Sequence, residues 1–103
     1  MIASTPTPPY FAVIFTSIRT GNEAGYGEAA RQMAVLATEQ PGFLGMESAR
    51  QDIGITISYW NSLEDIRQWK EQAEHLAAQE RGKSDWYQSY RIRICKVERE
   101  YGI

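Results

Sequence analysis

A chain of 103 residues with 43% hydrophobic and 23% charged side chains has the composition of one ordinary globular domain. Eleven basic against 13 acidic residues leave a formal charge of −2, which gives no electrostatic reason to expect nucleic acid as a partner. No apolar run approaches the roughly 18 residues that a membrane-spanning helix needs, and the single cysteine, Cys95, allows neither an internal disulfide nor a cysteine-rich metal site.

The first nine residues, Met1-Ile2-Ala3-Ser4-Thr5-Pro6-Thr7-Pro8-Pro9, hold three of the four prolines and no charged side chain. They lack the basic and apolar regions of a signal peptide, so a cytoplasmic protein is expected. With little to bury, residues 1–9 read as a flexible, Pro-rich, loosely docked arm ahead of a single domain over residues 10–103. Tyr10 to Ile18 is aromatic and β-branched and reads as a strand. After Gly21-Asn22 a helical period takes over, with Tyr26, Ala29, Ala30, Met33, Leu36 and Ala37 recurring at steps of three and four. Pro41-Gly42 stops that helix. Phe43–Arg50 and Gly54–Trp60 flank a short polar turn and read as a hairpin. Asn61 with Glu64, or Ser62 with Asp65, offers an N-cap for a second helix, whose apolar stripe is Leu63, Ile66, Trp69, Ala73, Leu76 and Ala77. Arg81-Gly82-Lys83 is a stop, Ser84 to Gln88 a connector, and Tyr90 to Arg99 a final strand.

The order is β-α-β-β-α-β, which predicts an α+β, ferredoxin-like fold with an antiparallel sheet. The first strand is apolar on both sides: Tyr10, Ala12 and Ile14 alternate with Phe11, Val13 and Phe15. Two helices cover only one face of such a sheet. The other needs cover as well, and a second copy of the chain, sheet against sheet, is the economical solution. A homodimer is therefore expected.

Particular segments carry more information. Gln40-Pro41-Gly42-Phe43 before the second strand, and Ser58-Tyr59-Trp60-Asn61-Ser62 leading into the second helix, resemble the antibiotic biosynthesis monooxygenase family. Trp69, Glu74-His75-Leu76-Ala77-Ala78-Gln79 and Trp86-Tyr87 are similar to one of its bacterial branches of unassigned function. The resemblance spans roughly residues 10 to 101. It implies a dimeric α+β barrel with a pocket in each subunit between sheet and helices. It further implies a monooxygenase-like enzyme that needs no cofactor, acting on a small aromatic or quinol-type compound whose own electrons reduce oxygen. A non-catalytic small-ligand-binding dimer is the alternative. Haem degradation ranks third. The haem-degrading relatives use a strand-one asparagine, a second-helix tryptophan and a ligand histidine. Here Trp69 matches the tryptophan, whereas Gln79 stands where that histidine would be, and strand one offers Phe15, Thr16 or Ser17.

His75, the only histidine, is the candidate catalytic base, because its ordinary pKa suits proton transfer near neutrality. At about 100° per residue it stands opposite Ile66, on the solvent side unless the helix is interrupted. Trp60, Asn61, Trp69 and Trp86 are the candidate substrate-binding residues, since planar ligands favour aromatic linings. Each also has a structural reading: Trp60 and Trp69 as core, Asn61 as a helix cap, and Trp86 with Tyr87 as a lid or a dimer seam. Arg91 and Arg93 could hold an anion or line a solvated strand face. Cys95 is expected as a buried thiol. No spacing points to a metal site.

Overall fold

The β-branched and aromatic run that opens the domain forms β1 (Tyr10–Arg19), the strand to which both β3 and β4 pair. It is followed by α1 (Tyr26–Thr38), β2 (Phe43–Arg50), β3 (Gly54–Trp60), α2 (Leu63–Gln79) and β4 (Tyr87–Val97). The computed structural model describes residues 1–79 and 85–103, with the backbone alone for residues 78 and 79. The four strands form one antiparallel sheet in the order β2-β3-β1-β4, so the fold is α+β and ferredoxin-like, as the element order predicts. The stop expected at Arg81-Gly82-Lys83, the start of the connector at Ser84 and the Gln79 side chain lie outside the described residues. Among the described residues, no helix is long and apolar enough to cross a membrane.

Local chemistry sets the joints. Gly42 adopts φ +80°, and a Cβ there would overlap the Asp65 carboxylate, so the Pro-Gly turn admits only glycine at this point. Its carbonyl accepts the Asn61 amide at 2.8 Å, which docks the turn against the start of α2. Of the two possible caps, the Ser62–Asp65 pair is used: the Asp65 amide donates to Ser62 Oγ (3.1 Å), and the Ser62 hydroxyl donates to Asp65 Oδ2 (2.8 Å). β4 begins at Tyr87 rather than Tyr90. The β1–β4 register shifts between Ile18 and Arg19, so Arg19 pairs with Tyr87 instead of Gln88.

The register decides which residues share a face. Phe11 pairs with Trp60 and Phe15 with Thr56, so the phenylalanine side of β1 is the helix side. There α1 packs on β2 and α2 on β3. The core lies at that end, where Trp60, Ile66 and Ala37 are buried. Among the described residues the helices touch β4 at its start, where Tyr26 of α1 meets Tyr87. On the same side Tyr90, Ile92 and Ile94 stay 60%, 51% and 51% exposed.

The opposite face carries Tyr10, Ala12, Ile14, Ile57 and Tyr59. At one end the N-terminal arm lies on it. The Ala3 amide donates to Glu47 Oε2, and the Thr5 and Tyr10 hydroxyls both donate to Glu100 Oε2, all at 2.9 Å. Beneath it Tyr10 and Ala12 are buried without help from a helix. Farther along, Ile18, Ile53 and Ile55 are exposed. Cys95, expected as a buried thiol, is exposed instead, because it sits on this same uncovered face of an edge strand.

Candidate functional site

Where α1 and α2 leave the helix side of the sheet open, the surface is lined with aromatic rings. The Phe15 ring centroid lies 5.5 Å from those of both Tyr87 and Tyr90, and the two tyrosines are 6.0 Å apart. Tyr26 at the start of α1 meets Tyr87 edge-on at 5.9 Å and Trp86 edge-on at 5.8 Å. With Ile92 and Ile94 these rings make an open apolar trough along β1 and β4, of a kind that suits a flat aromatic ligand. Strict alternation from Tyr90 would bring Gln88 into it. The register shift brings Tyr87 instead.

One wall of the trough is held by the β1–α1 loop. The Trp86 carbonyl accepts the Thr20 amide (2.8 Å) and Arg19 Nε (3.1 Å), while the Trp86 indole donates to the Ala24 carbonyl (2.7 Å). The Asn22 side-chain amide donates to Asp85 Oδ1 at 2.7 Å. The Arg19 guanidinium lies 3.3 Å from the Tyr26 ring centroid, a cation–π contact that fixes both.

The other wall holds a second arginine. Arg50 pairs with Gly54 across the hairpin, and Gly54 pairs with Ser17. Gly54 has no side chain, and a Cβ there would overlap the guanidinium of Arg50, which lies across β3 in that space. From there Arg50 donates from Nη1 to the Ser17 carbonyl (3.4 Å) and from Nη2 to Ser17 Oγ. Burial raises the pKa of the Tyr87 hydroxyl, and its hydrogen bond with Tyr26 adds to the rise; the positive charges of Arg19 and Arg50 oppose it. Both guanidinium charges are therefore felt at the trough.

A separate polar network lies on the arm side of the sheet. The Tyr59 hydroxyl donates to Glu47 Oε1 at 2.7 Å. Burial, with the Glu47 carboxylate beside it, pushes the pKa of Tyr59 up to about 12. The bonds from Tyr59 and from the Ala3 amide hold Glu47 below the usual carboxylate range.

The residues singled out from the sequence are dispersed. Trp60 is fully buried; its indole donates to Ser58 Oγ (2.8 Å), and its ring stacks on Trp69 (5.8 Å, 22°) and meets Phe43 edge-on. Trp69 is half-buried under α2. Trp86 is buried behind Tyr26, as an anchor for the β1–α1 loop. Asn61 is exposed and contributes a backbone bond to Gly42. His75 is exposed on α2, which runs without interruption from Leu63 to Gln79. Phe15, Ser17, Tyr26, Arg50, Tyr87 and Tyr90 are brought together instead. A glycine opening a strand four residues after an arginine was the one available signal for Arg50.

Two shallow recesses are also present. One, of about 270 Å³, sits between α1 and α2 among Arg31, Val35, Leu36 and Leu76; it has no aromatic lining. The other, of about 240 Å³, opens beside Ile18, Ile53, Arg91 and Arg93 and borders the trough at Ser17 and Tyr90. Among the described residues, no cluster of three His, Cys, Asp or Glu side chains could hold a metal ion.

A four-stranded antiparallel sheet backed by two helices, with an aromatic trough beside them, defines an α+β protein of the ferredoxin-like class. More narrowly, the chain belongs to the antibiotic biosynthesis monooxygenase family, whose model matches residues 9–81. It is 52% identical over 101 residues to the uncharacterized protein YqjZ of Bacillus subtilis (strain 168), a match covering 96% of this chain and 89% of that one. In fold it is similar to a mutant of SnoaB, a cofactor-independent oxygenase from Streptomyces nogalater, with a TM-score of 0.72 at 13% identity over 88% of this chain and 95% of that one. It is also similar to PA3566 from Pseudomonas aeruginosa, with a TM-score of 0.68 at 15% identity over 93% and 99% of the two chains.

Proposed function

We propose that the protein is a cofactor-independent, monooxygenase-like enzyme that takes a small aromatic or quinol-type compound into the trough of Phe15, Tyr87 and Tyr90. The observation that carries this is the aromatic lining of the trough, in a chain of the monooxygenase family. In such a reaction the substrate is the reductant. Its anion gives electrons to oxygen, a ring CH₂ becomes C=O, one oxygen atom enters the product, and the other leaves as water with the two hydrogens removed. The protein binds the flat ring, excludes water from it and favours the anion. Trp69 extends the aromatic surface towards α2, and Trp60 and Trp86 support it from behind. The working form is a cytoplasmic homodimer, joined through the sheet faces that lack helices.

Oxygen uptake and absorbance change with anthrone and 1,4-dihydroxynaphthalene test this reading. Uptake above the spontaneous rate, with one oxygen atom from labelled O₂ in the anthrone product, is the expected result. Saturable binding without uptake would favour a ligand-binding dimer that does no chemistry, a reading that the outward position of His75 supports. A Soret shift on adding haem, followed by its loss, would point to the third reading.

A further inference from the structure

The residues that frame the trough include a guanidinium with unused capacity. Arg50, Gly54, Ser17 and Tyr90 form one cross-strand row over β2, β3, β1 and β4, on the same side as Phe15. The row positions Arg50 through a missing side chain, since the guanidinium occupies the space that any Cβ at residue 54 would need. Among the described residues both of its hydrogen bonds go to Ser17, a neutral acceptor that is 2% exposed. A guanidinium has five N–H donors. Two are used on Ser17, and the others have no acceptor among the described residues.

Among the described residues no carboxylate lies within 4.0 Å of Arg50. Asp52, two residues on in the hairpin turn, is exposed and makes no ion pair with Arg50 within 4.0 Å, while Glu23 is committed to Arg19 at 3.3 Å and Asp85 to Asn22 at 2.7 Å. The other titratable groups on this wall are Tyr26, Tyr87 and Tyr90, all phenols, and Arg19, whose guanidinium is bound to the Trp86 and Asn22 carbonyls and covers the Tyr26 ring. An exposed arginine fork tethered to Ser17, on the aromatic side of the sheet and with no carboxylate among the described residues within 4.0 Å, can meet a planar anionic oxygen.

We propose that Arg50, steadied by Ser17 over Gly54, is the anion anchor of the trough, so that the ligand is a phenol or related acidic aromatic bound as its anion with the ring against Phe15, Tyr87 and Tyr90. The inference rests on the trough being the ligand site, and it specifies what that ligand must carry. It also supplies a way to form the reactive anion without a histidine in the trough. The phenolic proton is released to water, and the guanidinium stabilises the oxygen left behind. Arg50 is thus a residue that sets specificity and ionisation, and no protein base takes part.

The test uses 4-nitrophenol, whose phenolate absorbs at longer wavelength than the phenol, and nitrobenzene as its neutral counterpart. On the full-length protein the phenolate should bind in preference to the phenol, lowering the ligand's apparent pKa by about one unit, which is a tenfold preference. Arg50→Gln should lose that preference while binding nitrobenzene as the parent does. Arg50→Lys, which keeps the charge but not the planar fork, should restore part of it. Thermal melts of each variant separate loss of the anchor from loss of the fold. Ser17→Ala provides a second route, in which the guanidinium is freed and the preference should fall with the charge retained. Nitrobenzene binding with no phenolate preference, or a preference unchanged in Arg50→Gln, would overturn the anchor and leave the aromatic trough standing. Failure of both ligands to bind would overturn the trough and the anchor together.

Discussion

Trp60→Ala is the most informative perturbation of the fold, because that side chain is fully buried with two ring contacts and one hydrogen bond. The residue is 0% exposed, meets Phe43 edge-on at 5.5 Å and stacks on Trp69 at 5.8 Å. Removing a buried tryptophan of this kind costs about 3–5 kcal/mol from lost transfer energy and the cavity left behind. Ser58, 5% exposed, loses the indole N–H that now bonds its hydroxyl at 2.8 Å, at a further cost of about 1 kcal/mol. Against a domain stability of about 5–15 kcal/mol, the variant is left close to unfolding. Urea denaturation followed by far-ultraviolet circular dichroism, at one fixed protein concentration, reads the loss as a fall in midpoint with unchanged slope. Trp60→Phe separates the two contributions: it keeps most of the volume and loses the N–H, so about 1–2 kcal/mol should go. A loss below about 1 kcal/mol in Trp60→Ala would refute the placement of the core between Phe43, Trp60 and Trp69.

His75→Ala should change stability by less than about 0.5 kcal/mol and leave oxygen uptake intact, because the residue is exposed on an unbroken helix. Abolished uptake in a variant that still melts normally would put the imidazole back into the chemistry. Tyr59 keeps its proton in the folded protein up to about pH 12, against an ordinary value of 10.0. Its contribution to stability is therefore complete below pH 10 and is lost as the pH rises towards 12, whereas that of Glu47 is lost as the pH falls into acid. In Glu47→Gln the late tyrosinate step in an ultraviolet titration should move to lower pH; a titration that overlays the parent's would exclude the carboxylate as a cause. Ile55→Glu, at a position 42% exposed beyond the reach of the arm's bonds, should give a folded monomer by sedimentation where the parent sediments as a dimer. A parent that is itself a stable monomer at micromolar concentration would end the sheet-on-sheet model.

The parts of the fold governed by short-range rules were legible. The bounds of β2 and β3 follow from alternation and from the turn residues beside them, and the start of α2 from its Ser62–Asp65 cap. The candidate site was much less so, for three physical reasons. Trp60 and Trp69 are the residues an aromatic ligand would favour, but also those a core favours, and their stacking in the core depends on helix placement. The trough depends on Tyr87 and Tyr90 facing the same way, although they are three residues apart and simple alternation forbids it; a register irregularity is invisible in one strand read alone. Arg50 reaches its place through an absence at Gly54, a residue that also reads as an ordinary turn marker. The expectation that helices cover one whole face was too generous as well. They cover the β2–β3 half and meet β4 at Tyr87, leaving Tyr90, Ile92 and Ile94 exposed.

That uncovered strand ties the two proposed surfaces together. From Tyr90 to Cys95, β4 presents Tyr90, Ile92 and Ile94 to the trough and Arg91, Arg93 and Cys95 to the opposite face. A slip of one residue would exchange the two sets, placing two guanidinium groups against Phe15 and the isoleucines on the face where Glu47 and Glu100 hold the arm. Alternation alone does not prevent this on an edge strand, which has a ladder on one side only. The register is held instead at the end where it shifts. There the Trp86 carbonyl accepts both the Thr20 amide and Arg19 Nε, and the Trp86 indole is fixed to Ala24. These bonds tie the start of β4 to the β1–α1 loop before the alternation begins. The same residues that back the ligand trough therefore determine which side of β4 is offered to a second copy of the chain, and a change at Trp86 or Arg19 should disturb binding and assembly together.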